Sequence, residues 1–205
     1  MTDILAGISW DTLDPDEVRA NSFKNFHAKG LHYVCLKRTP ELTLKAYFFA
    51  DGMSSQKVGE VINPHDHRYD FWTQCYSGVI ENRWYHGDPV YGTRFHQFSY
   101  DTPLNGGGGF THVGTSCLHR YRTTQFGPGT RYHMRAHELH TIRVAAPETC
   151  IVLAQYEDVV PVGQPTFTYS LDGEPPSLAG LYSEFKSDEI VKRLKLLHEL
   201  QQKLP

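Results

Sequence analysis

Short segments rich in aromatic and β-branched residues recur along most of this chain, and this recurrence constrains its fold more than any other feature. Such residues favour strands, and Gly or Pro lies between most of the segments. Strands repeated at short, fairly even intervals are typical of an all-β sandwich or barrel. The predicted strands span residues 31–36, 42–49, 71–85 (two strands that turn near Ser77 and Gly78), 93–100, 116–124, 131–134, 139–144, 149–156 and 166–171.

A helix is predicted on each side of this strand-rich region. The first covers about 15–29, because Asp14 is a good N-cap, Pro15 suits the first turn and Gly30 suits the end. The second covers about 187–203, where apolar residues recur at helical spacing. We therefore predict a single domain over residues 1–205, with a barrel over about 31–170 and both helices packed outside it. The apolar residues of the second helix are Ile190, Leu194, Leu197 and Leu200.

Composition excludes several classes of protein. A net charge of -3 in 205 residues leaves no basic footprint for nucleic acid. No apolar run approaches the ~18 residues of a membrane span, and the N-terminus does not resemble a signal peptide. We expect a cytoplasmic protein with no membrane partner. Its widely spaced cysteines form no Cys-x-x-Cys pair and are expected to be free thiols, namely Cys35, Cys75, Cys117 and Cys150.

Two histidines one residue apart, His65 and His67, are the strongest candidates for chemistry. On a β-strand, side chains at i and i+2 point to the same face, so the two imidazoles converge. Converging imidazoles are typical of transition-metal sites, and catalytic sites usually have three protein ligands. Spacing alone does not choose the third ligand among His86, His96, His112, His119, His133, His137 and His140.

The stretch around these histidines resembles the first motif of the cupin superfamily. That motif is a Gly, five residues, His-x-His, then a Glu and a final Gly. Gly59, His65, His67 and Gly78 match it, and Phe71 stands at the position of the Glu. The resemblance implies a cupin barrel, that is, a double-stranded β-helix or jelly roll, covering about residues 31–170.

The second cupin motif centres on one histidine, and residues 132–142 resemble it. Tyr132 precedes His140 by eight residues, as an aromatic residue commonly does in that motif. The resemblance implies His65, His67 and His140 as metal ligands. With Phe71 in place of the Glu, the ligand set is three neutral imidazoles. It is similar to that of cysteine dioxygenase and other thiol dioxygenases, which implies Fe(II) and O₂, although Zn, Ni, Mn or Cu also suit such ligands.

The comparison with thiol dioxygenases extends to one tyrosine. Tyr156 falls near the catalytic tyrosine of that family, off by one in spacing. Trp72 stands where some members have a cysteine cross-linked to that tyrosine, so no cross-link is expected. The resemblance therefore implies an iron oxygenase with Tyr156 as a catalytic residue, and it does not imply cysteine as the substrate.

Further residues near the predicted barrel strands are candidates for contact with the substrate. A guanidinium binds a carboxylate through two hydrogen bonds, so Arg68 and Arg120 are candidate carboxylate clamps. Tyr132 is a candidate hydrogen-bond donor. Asp70 would reach the metal only through a bulge, and His137 is an alternative to His140.

The leading hypothesis is an iron oxygenase or dioxygenase that activates O₂ on a small acidic or thiol-bearing metabolite inside the barrel. One alternative is a non-redox isomerase, epimerase or lyase that uses Zn or Mn. Another is a ligand-binding cupin without catalysis. We expect a homodimer whose other partners are its small-molecule substrate and O₂.

Overall fold

The computed structural model describes residues 3–50, 53, 63–101, 107–161, 163–175 and 177–205. Gly59 of the first motif lies outside them. The strands are β1 (Phe23–Lys24), β2 (Leu31–Arg38), β3 (Leu42–Phe49), β4 (Tyr69–Ser77), β5 (Ile80–Gly87), β6 (Thr93–Asp101), β7 (Gly109–Phe126), β8 (Arg131–Met134), β9 (Leu139–Val144), β10 (Cys150–Asp158), β11 (Thr166–Ser170) and β12 (Ser183–Glu184). The helices are α1 (Pro15–Ala20) and α2 (Ser187–Gln202), and a short 3-10 turn spans Trp10–Thr12.

These strands form two antiparallel sheets that curl into a barrel. One has the order β12-β1-β2-β3-β10-β4-β8, and the other has the order β11-β6-β7-β5-β9. This confirms the predicted all-β, cupin-type barrel with a helix near each end of the chain. Gly78, in the turn between β4 and β5, has φ +67, and a Cβ there would lie 2.2 Å from Thr149 Oγ1.

The core has two parts because both faces of the larger sheet are covered. Along β10, Ile151 and Leu153 point into the barrel, whereas Val152 and Ala154 pack under the helices. Strands buried on both faces become almost continuously apolar, as β10 is. All four cysteines are free, as predicted.

Helix α1 is much shorter than the predicted span 15–29. Asp14 caps it by accepting from the Asp16 backbone N–H at 2.9 Å, but the helix ends at Ala20. Phe23 leaves the helix because it pairs with Tyr33 and Glu184 in the sheet. Asn25 and His27, at φ 53 and 63, have left-handed backbone conformations, which are incompatible with a right-handed helix through these positions.

Helix α2 agrees with its prediction to within one residue at the C-terminus. Ile190 and Leu197 are fully buried against the outer face of the larger sheet. Across the described residues, no helix is long and apolar enough to cross a membrane.

Docking of α2 gives a stability prediction with a neighbouring control. Leu197 is 0% exposed and Leu196 is 44% exposed. Leu197→Ala should lower the free energy of unfolding by about 2–5 kcal/mol, because it leaves a cavity between helix and sheet. Leu196→Ala should change it by less than about 0.5 kcal/mol. Urea unfolding of both variants measures this, and equal losses would show that α2 is not held through Leu197.

Candidate metal centre

The segment around His65 connects the two edges of the five-stranded sheet. His65 N donates to His140 O at 2.9 Å, and His140 N donates back to His65 O at 3.0 Å. On its other side, His65 is bridged to Thr168 of β11. Since β9 and β11 are the two edge strands of that sheet, this single segment closes it.

This pairing gathers three imidazoles. The ring centroid of His65 lies 4.7 Å from that of His67 and 5.0 Å from that of His140. His67 and His140 are also 5.0 Å apart, so the rings form a nearly equilateral triangle. One nitrogen from each ring lies within 4.8 Å of the others. The structure thus brings together the three residues that the cupin resemblance implied.

Two of the rings are held by hydrogen bonds from the side remote from the cluster. His65 Nδ1 lies 2.8 Å from Asn63 O, a group that only accepts, so Nδ1 carries the hydrogen. His140 Nδ1 lies 2.6 Å from Asn82 Oδ1. Both contacts leave Nε2 with its lone pair free, and such contacts commonly fix the tautomer of a metal-binding histidine.

Two nitrogens of the cluster are buried without a partner. His140 Nε2 and His67 Nδ1 have no hydrogen bond within the described part of the chain. A buried polar atom without a partner costs free energy and calls for an explanation. A ligand that accepts the lone pairs of these nitrogens, such as a metal ion, provides one.

Burial keeps all three imidazoles neutral. It lowers the pKa of His65, and it lowers those of His67 and His140 well below 6.5. Mutual repulsion with His65 adds to the effect at His67 and His140, and the Lys45 charge contributes further at His67. Neutral imidazoles are the form that binds metal.

These pKa shifts predict that the metal-free protein loses stability in acid. The folded pKa values lie below the unfolded value of about 6.5, so below that pH the unfolded chain binds more protons. Stability should therefore be complete well above pH 6.5 and fall as the pH drops below it, by up to about 1.4 kcal/mol per pH unit for each of His67 and His140, with a further contribution from His65. Urea unfolding between pH 7.5 and 5.5 measures this slope. His140→Gln should reduce the slope by the contribution of one histidine. An unchanged slope would show that the pKa of His140 is not lowered by folding.

No carboxylate joins the histidines among the described residues. Phe71 is 1% exposed, and its ring lies 4.7 Å from that of His67, so an aromatic ring occupies the place of the usual Glu. Asp70 instead accepts from the Ala136 backbone N–H at 2.7 Å and anchors the loop before β9. The donor set is therefore three neutral nitrogens.

This donor set fits a divalent transition metal. Imidazole suits Fe, Zn, Ni and Cu, and three protein ligands leave positions open for other molecules. Nitrogens bound at about 2.1 Å from one ion must approach each other to roughly 3–4 Å. The ligand atoms, now within 4.8 Å of one another, would have to move together by about 1 Å to reach this range.

Comparisons with known proteins add distant likenesses of fold. No protein-family model and no curated protein matches the sequence. KdgF from Halomonas sp. is similar at 13% identity, over 62% of this chain and 80% of that one, with a TM-score of 0.34. Hydroxypropylphosphonic acid epoxidase from S. wedmorenis is similar at 14% identity, over 73% and 57%, with a TM-score of 0.41. The structure of FeII HppE is similar at 16% identity, over 76% and 63%, with a TM-score of 0.43.

The chain covers less than two thirds of the second and third of these proteins. At such identities and TM-scores, the likenesses carry no argument about activity. The three-histidine group is present, but the resemblance to the thiol dioxygenases is not supported.

Several predicted residues do not reach the cluster. His137 is exposed. Arg68 holds the chain after β10: its guanidinium contacts Asp158 Oδ2 at 3.0 Å and donates to three backbone carbonyls. Arg120 is exposed on β7. Neither arginine is placed as a carboxylate clamp, because one is already engaged and the other points to solvent.

The two predicted tyrosines lie apart from the histidines. Tyr156 is 43% exposed, on the face of β10 that it shares with Ala154 and that faces away from the barrel interior. Tyr132 does point inward, but its nearest ring is Phe126, at 4.6 Å, and burial raises its pKa to about 12. The structure thus gives Tyr156 no contact with the centre.

Two interior residues were missed in the sequence. Asn82 is fully buried and orients His140, and Lys45 is 8% exposed inside the barrel. The available signal was a polar side chain on an apolar strand face: Asn82 lies between Ile80 and Trp84, which both point inward.

Proposed function

We propose that this chain is a mononuclear non-haem iron oxygenase in which His65, His67 and His140 hold Fe(II). The observation that carries the proposal is the convergence of three neutral imidazoles, with free nitrogens and no carboxylate among the described residues around them. Such a set imposes no ligand charge on the ion. The missing negative charge is then supplied by the substrate, which we take to be a small acidic or thiol-bearing metabolite.

Iron bound there would supply the redox chemistry of O₂ activation and open positions for substrate. The chain's own residues supply orientation and exclusion of water. Asn63 O and Asn82 Oδ1 hold two imidazoles with their lone pairs directed inward. The rings of Phe71 and Tyr69, 4.7 and 5.7 Å from that of His67, form an apolar wall on one side. A dry wall strengthens electrostatic interactions between the centre and an anionic substrate.

The proposal is tested by metal content and oxygen uptake. Protein purified without chelator, then loaded anaerobically with Fe(II), should hold about one iron per chain and consume O₂ with a member of a panel of small thiols and carboxylic acids. His65→Ala should hold no stoichiometric iron and consume no O₂. His133→Ala, at an exposed histidine outside the cluster, is the matched control and should behave as the wild type.

Iron that survives His65→Ala would refute the centre. Stoichiometric Zn or Mn without oxygen uptake on the whole panel would instead favour the non-redox isomerase, epimerase or lyase. Metal binding with neither oxygen uptake nor substrate turnover would favour a ligand-binding cupin.

A further inference from the structure

A lysine lies inside the barrel, where charged residues are rare. Lys45 is in the middle of β3, with Leu153 and Cys35 as its partners on the neighbouring strands. Leu44 and Ala46 pack outward under the helices, so the alternation of the strand turns Lys45 inward. It is only 8% exposed, and no other lysine or arginine is buried among the residues that the structure describes.

The ammonium group of Lys45 has no counter-ion among the residues that the structure describes. Its hydrogen bond goes to the Tyr69 hydroxyl at 3.4 Å, and Nζ lies 4.9 Å from the Tyr69 ring and 5.8 Å from the Tyr33 ring. No described carboxylate forms an ion pair with it. Aromatic faces and a hydroxyl compensate only part of the cost of removing a charge from water. A buried cation that lacks an anion therefore favours an anion from elsewhere.

One tyrosine connects Lys45 with the histidine cluster. The Tyr69 ring, which Nζ contacts, is 5.7 Å from the His67 ring. Tyr69 thus lies between the ammonium group and the histidine cluster, in contact with both. A divalent ion held by the neutral imidazoles of His65, His67 and His140 would add to the positive charge of this ammonium group. Two negative groups on one ligand balance that charge better than one.

We propose that Lys45 is the anchor for a carboxylate of the substrate, and that the substrate is a small organic acid whose second ionisable group faces the three histidines. This rests on the proposed function for the second group only, since anchoring of the carboxylate by Lys45 needs no metal. The role predicted for Arg68 and Arg120 passes to Lys45. Tyr69 is then a positioning residue, because its hydroxyl and ring hold the ammonium group of Lys45 in place.

The test compares a carboxylate with its uncharged amide. Calorimetric titration of metal-free wild type with 3-mercaptopropionate and with 3-mercaptopropionamide should show binding of the acid only. Lys45→Met, which keeps the length of the side chain and removes its charge, should weaken binding of the acid by at least about 30-fold. Lys37→Met, at an exposed lysine on β2, should leave binding unchanged.

A second readout separates binding from a structural role. Lys45→Met removes a buried charge without a partner, so the ligand-free protein should melt several degrees higher than the wild type. Equal binding of acid and amide, no binding of the acid, undiminished binding by Lys45→Met, or a lower melting temperature for that variant would each overturn the proposal. Since these measurements use metal-free protein, their outcome is independent of whether iron binds.

Discussion

His140→Ala should abolish stoichiometric binding of divalent metal. The substitution removes one of three nitrogens that lie within 4.8 Å of each other, and it is the one whose ring is held most firmly, by Asn82 at 2.6 Å. Removing a residue that only orients a ligand costs about 10–100-fold in metal affinity, so removing the ligand itself should cost at least roughly 100-fold. Competition with a chelator measures this loss.

Two further variants should show a smaller loss of metal affinity and no loss, respectively. Asn82→Ala keeps the ligand but releases its orientation, and should fall in the 10–100-fold range. His137→Ala removes an exposed histidine three residues before His140, and should bind metal as the wild type does. The backbone pairing of His65 with His140 uses main-chain atoms and persists in the alanine variant. If His137→Ala lost metal and His140→Ala retained it, the centre would be wrongly assigned.

Phe71→Glu should give the second large effect. It should lower the stability of the metal-free protein and raise the stability that the protein gains from binding metal. Without metal, the variant loses a core aromatic ring that is 1% exposed and gains a buried carboxyl group, which should destabilise it by at least about 3 kcal/mol. With metal, the carboxylate becomes a charged fourth ligand beside His67. Tighter binding to the folded state raises the stability gained from the same metal concentration.

The increase in melting temperature on adding Zn²⁺ should therefore be larger for Phe71→Glu than for the wild type. Phe71→Leu controls for the lost ring, because it reduces the core without adding a ligand, and its metal-induced shift should equal that of the wild type. Equal shifts for the Glu and Leu variants would mean that position 71 does not face the metal. Differential scanning fluorimetry with and without the ion is sufficient.

Alternation and turn residues predict most of the barrel. Residues 42–49 and 131–134 form strands with the predicted boundaries. The long strand β7 begins at Gly109, seven residues before the predicted start at 116, because pairing with β6 extends it across a register shift at Gln97 and Phe98. Such pairing is a contact between distant segments, and local composition does not encode it.

The site shows where alternation stops being informative. His65 and His67 were predictable because two residues of one kind at i and i+2 share a face. The facing of Tyr156 and Lys45 was not predictable in this way, because both lie on strands with one face toward the barrel interior and the other toward the helices. Periodicity then separates two sets of residues without identifying the interior set. The one available signal was a lysine between apolar neighbours, which indicates that β3 contributes a functional side chain as well as core residues.

Closure of the smaller sheet by the His65 segment also bears on self-association. Strand edges with unpaired N–H and C=O groups are templates for pairing with other chains. In the folded protein, His65 covers β9 on one side and bridges to Thr168 of β11 on the other. Displacing this segment would expose both edges together, including the apolar residues of β9. The segment around His65, which brings the imidazoles together, therefore also protects the edges of β9 and β11 from pairing with other chains. A bound metal ion would hold this segment in place.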